Sequence, residues 1–175
     1  MSKLQITLLA LAAVLLFWMV GAYNRLMGLR NAILRSFAPL AQQLRQRHGL
    51  LQRQIDALAG AATEPGQALP GLQAAADQAH AALNLAAARP GAAGVLASLR
   101  LAESILQDTR RRWPMPVEPG ADLADLNAQI SHVETALQVD RSRFNDAVME
   151  YNLALRQFPT CLLAGWFGFR EAGAF

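Results

Sequence analysis

The residues able to do chemistry in this chain are few and widely spaced. Arg47 and His48 are adjacent, and Glu134, Asp146 and Glu150 lie on a second strongly patterned segment. An antiparallel register that sets residue 23 beside residue 157 brings Arg47 and His48 level with residues 132–133, so Glu134 falls within reach of either cation. A Glu-His-Arg group can run acid-base chemistry, but in a helical bundle the commoner use of such a triplet is to fix register. The same register sets Arg30 level with about residue 150, near Asp146, Glu150, Tyr151 and Asn152. A guanidinium buried there needs a partner; the alternative is that Arg30 snorkels, stem packed and charge wet. Asn145 and Asn152 are seven apart on one helical face, the spacing of a polar layer that specifies alignment. Arg30, Arg47, His48, Glu134, Asn145 and Asn152 are therefore expected as interhelical polar contacts, with no catalytic residue among them.

Other chemistries find little support. His48, His80 and His132 fall on three different expected helices without a Glu-x-x-His pair, and the single cysteine, Cys161, makes no thiolate site, so no metal is expected. Phosphate-cradling glycine motifs and nucleophile elbows are absent, and no cofactor is expected. Arg110, Arg111, Arg112 and Trp113 form the one dense basic cluster. Cations suit the C-terminus of the helix that ends there, and without aromatic-basic interleaving or a large net charge, nucleic acid is not the expected partner. The cluster is instead a candidate interaction tip for an acidic protein surface.

The elements that must position these groups begin with composition. Of 175 residues, 53% are hydrophobic, and 16 Lys and Arg stand against 13 Asp and Glu for a net charge of +3. The apolar excess sits in Leu4–Ala22, where 16 of 19 residues are apolar and none is charged. A helix of that length spans about 28 Å, close to a hydrocarbon core of about 30 Å. Leu4, Leu8, Leu11, Leu15, Trp18 and Ala22 mark this expected membrane anchor. A cleaved signal peptide is the rival reading, with Val20-Gly21-Ala22 as the cleavage region; the length of the run and its unbroken passage into the next helix argue against it. Lys3 precedes the span whereas Arg25, Arg30 and Arg35 follow it, so the positive-inside rule sets the N-terminus outside and the larger part in the cytoplasm.

Beyond Tyr23, apolar residues at Leu26, Ile33, Phe37, Leu40, Leu44, Leu51, Ile55 and Leu58 describe one face of a helix ending near Gly60, with Pro39 expected to bend it. Thr63–Gly71 reads as a connector, 72–89 as an Ala-rich helix, and 95–112 as a third helix after Pro90-Gly91. A fourth helix, capped by Asp122, keeps its rhythm through Leu123, Leu126, Ile130, Val133, Leu137, Phe144, Val148, Tyr151, Leu155 and Phe158 until Pro159. The expected fold is all-α: an N-terminal transmembrane helix continuing into an antiparallel up-and-down four-helix bundle. Three long helices, the middle one kinked across Pro90, are the alternative. Expected boundaries are 1–22 for the anchor, 23–158 for the bundle and 159–175 for an apolar tail. Four helices return the chain to the anchor end, where Leu162, Leu163, Trp166, Phe167 and Phe169 either lie in the lipid interface or close the bundle as a flap.

The residues at both ends resemble one family. Tyr23-Asn24, Leu26, Leu29-Arg30-Asn31, Gln43-Leu44, Arg47-His48 and Leu50 look like the opening signature of the LemA family. Glu134, Leu137, Arg141, Phe144-Asn145, Val148 and Tyr151-Asn152, followed by Phe158-Pro159, Leu163-Ala164 and Gly168-Phe169, look like its closing one, and Trp113-Pro114 stands where a Tyr-Pro pair is usual. The resemblance implies a bacterial, single-span membrane protein with a four-helix bundle and no established biochemical activity. The chain departs from that pattern at Ala41, where Asp is common, and at Gln52-Arg53-Gln54, which replaces Pro-Asn-Leu. Phe37 stands for Trp and Phe144 for Tyr.

Two functional expectations follow. The first is a non-catalytic, membrane-anchored scaffold or adaptor for a protein partner. The second is an envelope-facing domain that binds a small molecule or peptide in a cavity lined by Arg30, Asn145 and Asn152. Small residues at Ala10 and Ala13 and an Ala-rich second helix also permit a homo-oligomer.

Overall fold

The computed structural model describes residues 3–61, 68–112, 120–158 and 160–175. The apolar N-terminal run and the first amphipathic stripe form a single helix, α1, Lys3–Ala61. Its first part is exposed, with Leu4 70%, Leu8 58%, Leu11 56%, Leu15 55% and Trp18 41% accessible, and it is long and apolar enough to cross a membrane. From Leu26 onward the stripe turns inward: every apolar residue expected on this face, Leu26 through Leu58, is buried. Pro39 lies inside α1 on an exposed position and the helix continues through it. The carbonyl four residues before it, which a proline cannot bond, is thus on the wet side of the helix.

α2 spans Ala68–Ala88 and α3 spans Ala93–Arg112. α2 starts four residues before the expected Leu72, because Pro70 falls in its first turn, where a missing N–H costs nothing. Between α2 and α3 the chain reverses at Pro90-Gly91, with Gly91 at φ 85°. That conformation is cheap only for glycine, and a Cβ there would stand 3.2 Å from Ile33 Cγ2. The reversal makes α2 and α3 separate helices, which settles the bundle at four long helices rather than three.

α4 covers Ala121–Arg156. Its N-cap is Gly120 without a side-chain bond, not Asp122 as expected; Asp122 sits in the first turn, where its charge suits the helix dipole. The α4 stripe is buried from Leu126 to Leu155, but Phe158, expected to continue it, lies past the helix end and is 80% exposed. Asp140, which interrupts the apolar pattern, is nevertheless buried and has Arg143 at 3.6 Å.

α1 runs antiparallel to α4, as the pairs Arg25–Gln157, Phe37–Phe144 and Gln54–Asn127 show. It also packs on α2, and α2 on α3. The chain reversal at Gly91 and the end of α4 thus lie at the same end as the exposed apolar segment. A short helix, α5, Thr160–Phe167, follows there, and at Gly168, φ 69°, the chain turns back into the bundle.

The core divides in two. One cluster, from Leu26 to Leu44 with Phe144, Tyr151 and Phe175, fills the end nearest the exposed apolar segment; the other, with Leu51, Ile55, Leu106 and Ile130, fills the far end.

Candidate functional site

The boundary between the two clusters is ionic. Glu103 of α3, 8% exposed, accepts a hydrogen bond from Arg47 and lies 2.7 Å from His48 Nε2. His48 is itself buried, and its ring is 6.3 Å from that of His80 on α2. The carboxylate opposite Arg47 and His48 is therefore not the expected Glu134: α3 reaches these residues first, across the bundle. Glu134 instead accepts a bond from Arg110 at 3.3 Å. Glu103 was missed because α3 shares no simple hairpin register with α1; its only signal was an acidic residue on the stripe of Leu99, Ala102 and Leu106. Arg47 Nε and His48 Nδ1 are buried without a hydrogen-bond partner among the described residues, so this layer is tightly charge-paired but incompletely satisfied.

The second polar constellation grips the tail. Asn152 donates to the Ala172 carbonyl at 2.9 Å and accepts from the Ala172 N–H at 2.9 Å. Seven residues earlier, Asn145 does the same to Phe175, at 2.7 and 2.8 Å. Arg141 Nε adds a bond to the Phe175 carbonyl at 2.9 Å, and its guanidinium lies over the Phe175 ring. Tyr151 donates to the Arg170 carbonyl at 3.1 Å. Burial raises the Tyr151 pKa, with Arg30 nearby pulling the other way. From the other side, Gly173 N–H bonds the Gly91 carbonyl at 3.0 Å, and Ala172 bridges Ala92. Residues 170–175 thus lie as an extended strap between α4 and the start of α3. The spacing of the two asparagines predicts a polar layer that specifies alignment; what it aligns is the backbone of the tail rather than another helix.

The tail divides at Gly168. Phe169 packs against Tyr23 at 5.9 Å between ring centres and Phe175 is buried in the core, which is the flap. Leu162, Trp166 and Phe167 on α5 are 62%, 87% and 49% exposed, although Phe167 also touches Tyr23. Leu163 lies on α5, but its side chain is outside the described residues.

Arg30 pairs with neither Asp146 nor Glu150; it is exposed. It lines a cleft of about 860 Å³ between α1, the α2–α3 reversal and the strap. Arg89 and Arg170 line the same cleft, as does Glu171, whose carboxylate is held by Arg156 at 2.8 Å. At the opposite end of the bundle, Arg110 is drawn to Glu134 and Arg111 stands 4.0 Å from Asp108, while Arg112 is exposed. Trp113 lies outside the described residues.

A sequence profile of the LemA family matches residues 36–175. The chain belongs to the LemA family. The match takes in α1 beyond Arg35, the other helices of the bundle and the strap, and leaves out the packed residues Leu26 and Ile33 of α1. Comparisons of this LemA chain with curated proteins and with solved structures find no match. In this LemA chain the tail grip falls on the paired aromatic-Asn units, Phe144-Asn145 and Tyr151-Asn152: each asparagine holds the strap, while Phe144 and Tyr151 enter the core.

Proposed function

We propose that this protein is a membrane-anchored, non-catalytic adaptor that holds a helical bundle at a fixed attitude to a bilayer for a protein partner. The observation that carries this reading is the continuity of α1, which runs from the exposed apolar segment into the packed core as one helix of 59 residues. Anchor and bundle form one body. The polar groups inside that body support the same reading, because Glu103, Asn145 and Asn152 are engaged in holding it together. Arg25, Arg30 and Arg35 after the span favour a cytoplasmic bundle in a bacterial envelope, and the small residues of the span suit self-association. The test is protease protection of a tag after Phe175 in intact and permeabilised spheroplasts, with the N-terminus of the recovered protein sequenced. Protection with Met1 or Ser2 retained supports a cytoplasmic bundle on an uncleaved anchor; digestion in intact spheroplasts reverses the orientation.

A second reading, peptide binding, is favoured by one feature. The strap is recognised through its main chain, by asparagine pairs and by the Gly91 carbonyl, as an added strand is recognised in peptide complexes. An outside peptide of similar small-residue and aromatic character would displace residues 170–175.

A further inference from the structure

The anchor end of the bundle holds three arginines that no carboxylate among the described residues pairs with. Arg30 from α1, Arg89 from the end of α2 and Arg170 from the strap all line the 860 Å³ cleft. All three are exposed, and none has an ion pair among the described residues. Among the described residues the one carboxylate lining the cleft, Glu171, is already matched by Arg156. The Tyr151 hydroxyl is committed to the Arg170 carbonyl, and burial raises its pKa above the ordinary phenol value, so it adds no negative charge to the cleft at neutral pH. Ala93 and Gly94, at the start of α3, line the cleft as well, and first-turn N–H groups lack intrahelical partners and favour anions. Three cations without an ion pair among the described residues and a helix N-terminus thus border one concave site.

Its position selects the anion. Arg30 follows Ala22 by eight residues, about 12 Å along the helix axis. Side chains on a helix lean toward its N-terminus, which for α1 is the apolar segment, so Arg30 leans toward the level where headgroups lie, about 5–8 Å outside the hydrocarbon. The exposed Leu162 and Trp166 of α5 stand at the same end of the bundle. We infer that the cleft binds the phosphate of an anionic membrane lipid, Arg30, Arg89 and Arg170 supplying the charge and the N-terminus of α3 the directed donors. The inference rests on the anchored reading above.

The test uses the full chain. Flotation with phosphatidylcholine vesicles first checks the anchor; a chain that does not float would overturn both readings. In detergent, native mass spectrometry with dioctanoyl phosphatidylglycerol should show one bound lipid, preferred at least tenfold over dioctanoyl phosphatidylcholine. Arg30→Gln, Arg89→Gln and Arg170→Gln should each weaken it about fivefold, and the triple variant on the order of a hundredfold. Arg45→Gln with Arg53→Gln, exposed positions away from the cleft, should leave it unchanged. A floating chain that binds both lipids equally, or a triple variant with parental affinity, would overturn the lipid site and leave the anchor standing. Competition by glycerol phosphate at equal concentration would overturn the lipid source in favour of a free phosphate ester. The three side chains carry no structural pairing, so the triple variant should melt at the parental temperature; should it not, the single variants carry the test.

Discussion

Replacing Glu103 by alanine removes the acidic centre of the layer between the two core clusters. The Arg47 side chain is 14% exposed and that of His48 7%, so the guanidinium would be left in a largely dry site with its Nε already unpartnered. Breaking a buried pair by removing one member costs about 3–5 kcal/mol, a large share of the roughly 5–15 kcal/mol that holds a domain together. With about 2.1 cal/mol/K of unfolding entropy per residue, the ~136 residues of the bundle give ~0.29 kcal/mol/K, and a 4 kcal/mol loss lowers Tm by roughly 14 °C. The assay is thermal unfolding of the full chain in detergent, followed by circular dichroism. Replacing the whole layer with apolar residues, Arg47→Met, His48→Leu and Glu103→Leu together, should restore most of the loss, because it is the orphaned charge that is costly. A Glu103→Ala shift under about 3 °C would refute the reasoning, since it would mean that water reaches Arg47.

Other outcomes follow from the strap. Asn152→Ala and Asn145→Ala each delete a donor and an acceptor serving the tail backbone, about 1–3 kcal/mol apiece; hydrogen exchange at Ala172, Gly173 and Phe175 should accelerate while exchange in the α1 core is unchanged. Gly173→Ala would put a Cβ 2.7 Å from the Ala93 Cα, and this backbone clash should expel the strap, seen as new proteolytic cleavage after Arg170. Alkaline titration should expose Tyr151. Its pKa is raised in the folded state, so its contribution to stability is complete below pH 10 and is lost as pH rises from there through the raised value; Tyr151→Phe should flatten that fall in urea midpoints measured above pH 10.

Much of this fold was legible in the residue pattern. The stripes of α1 and α4 announced themselves because both helices bury one face over many turns, and their periodicity was undisturbed by Pro39, which points outward. The number of helices turned on Gly91, where a positive φ converts a Pro-Gly pair into a full reversal; Pro90 alone is equally compatible with a kink. Partner choice was less legible. Arg47 and His48 were readable as a polar layer, but whether α3 or α4 supplies the carboxylate depends on how the helices are arranged around the shared core, which pairwise register does not contain. The grip of Asn145 and Asn152 on the tail was hidden for a related reason: the strap offers its main chain, and main-chain atoms leave no trace in residue type. Arg30, which sits on an apolar stripe, is compatible in sequence with a buried, paired cation or with one whose charge stays wet; it is exposed, at the mouth of a cleft it shares with the α2–α3 reversal.

The continuity of α1 has a mechanical side. Ala61 lies 39 residues beyond Ala22 on one helix, about 58 Å at 1.5 Å per residue. Under the anchored reading the bundle is a lever arm with the bilayer as its fulcrum, and a 10° change in the tilt of the span displaces the far tip sideways by about 10 Å. Membrane thickness alters helix tilt, so a change in the thickness of the bilayer would be delivered, magnified, to whatever the tip touches.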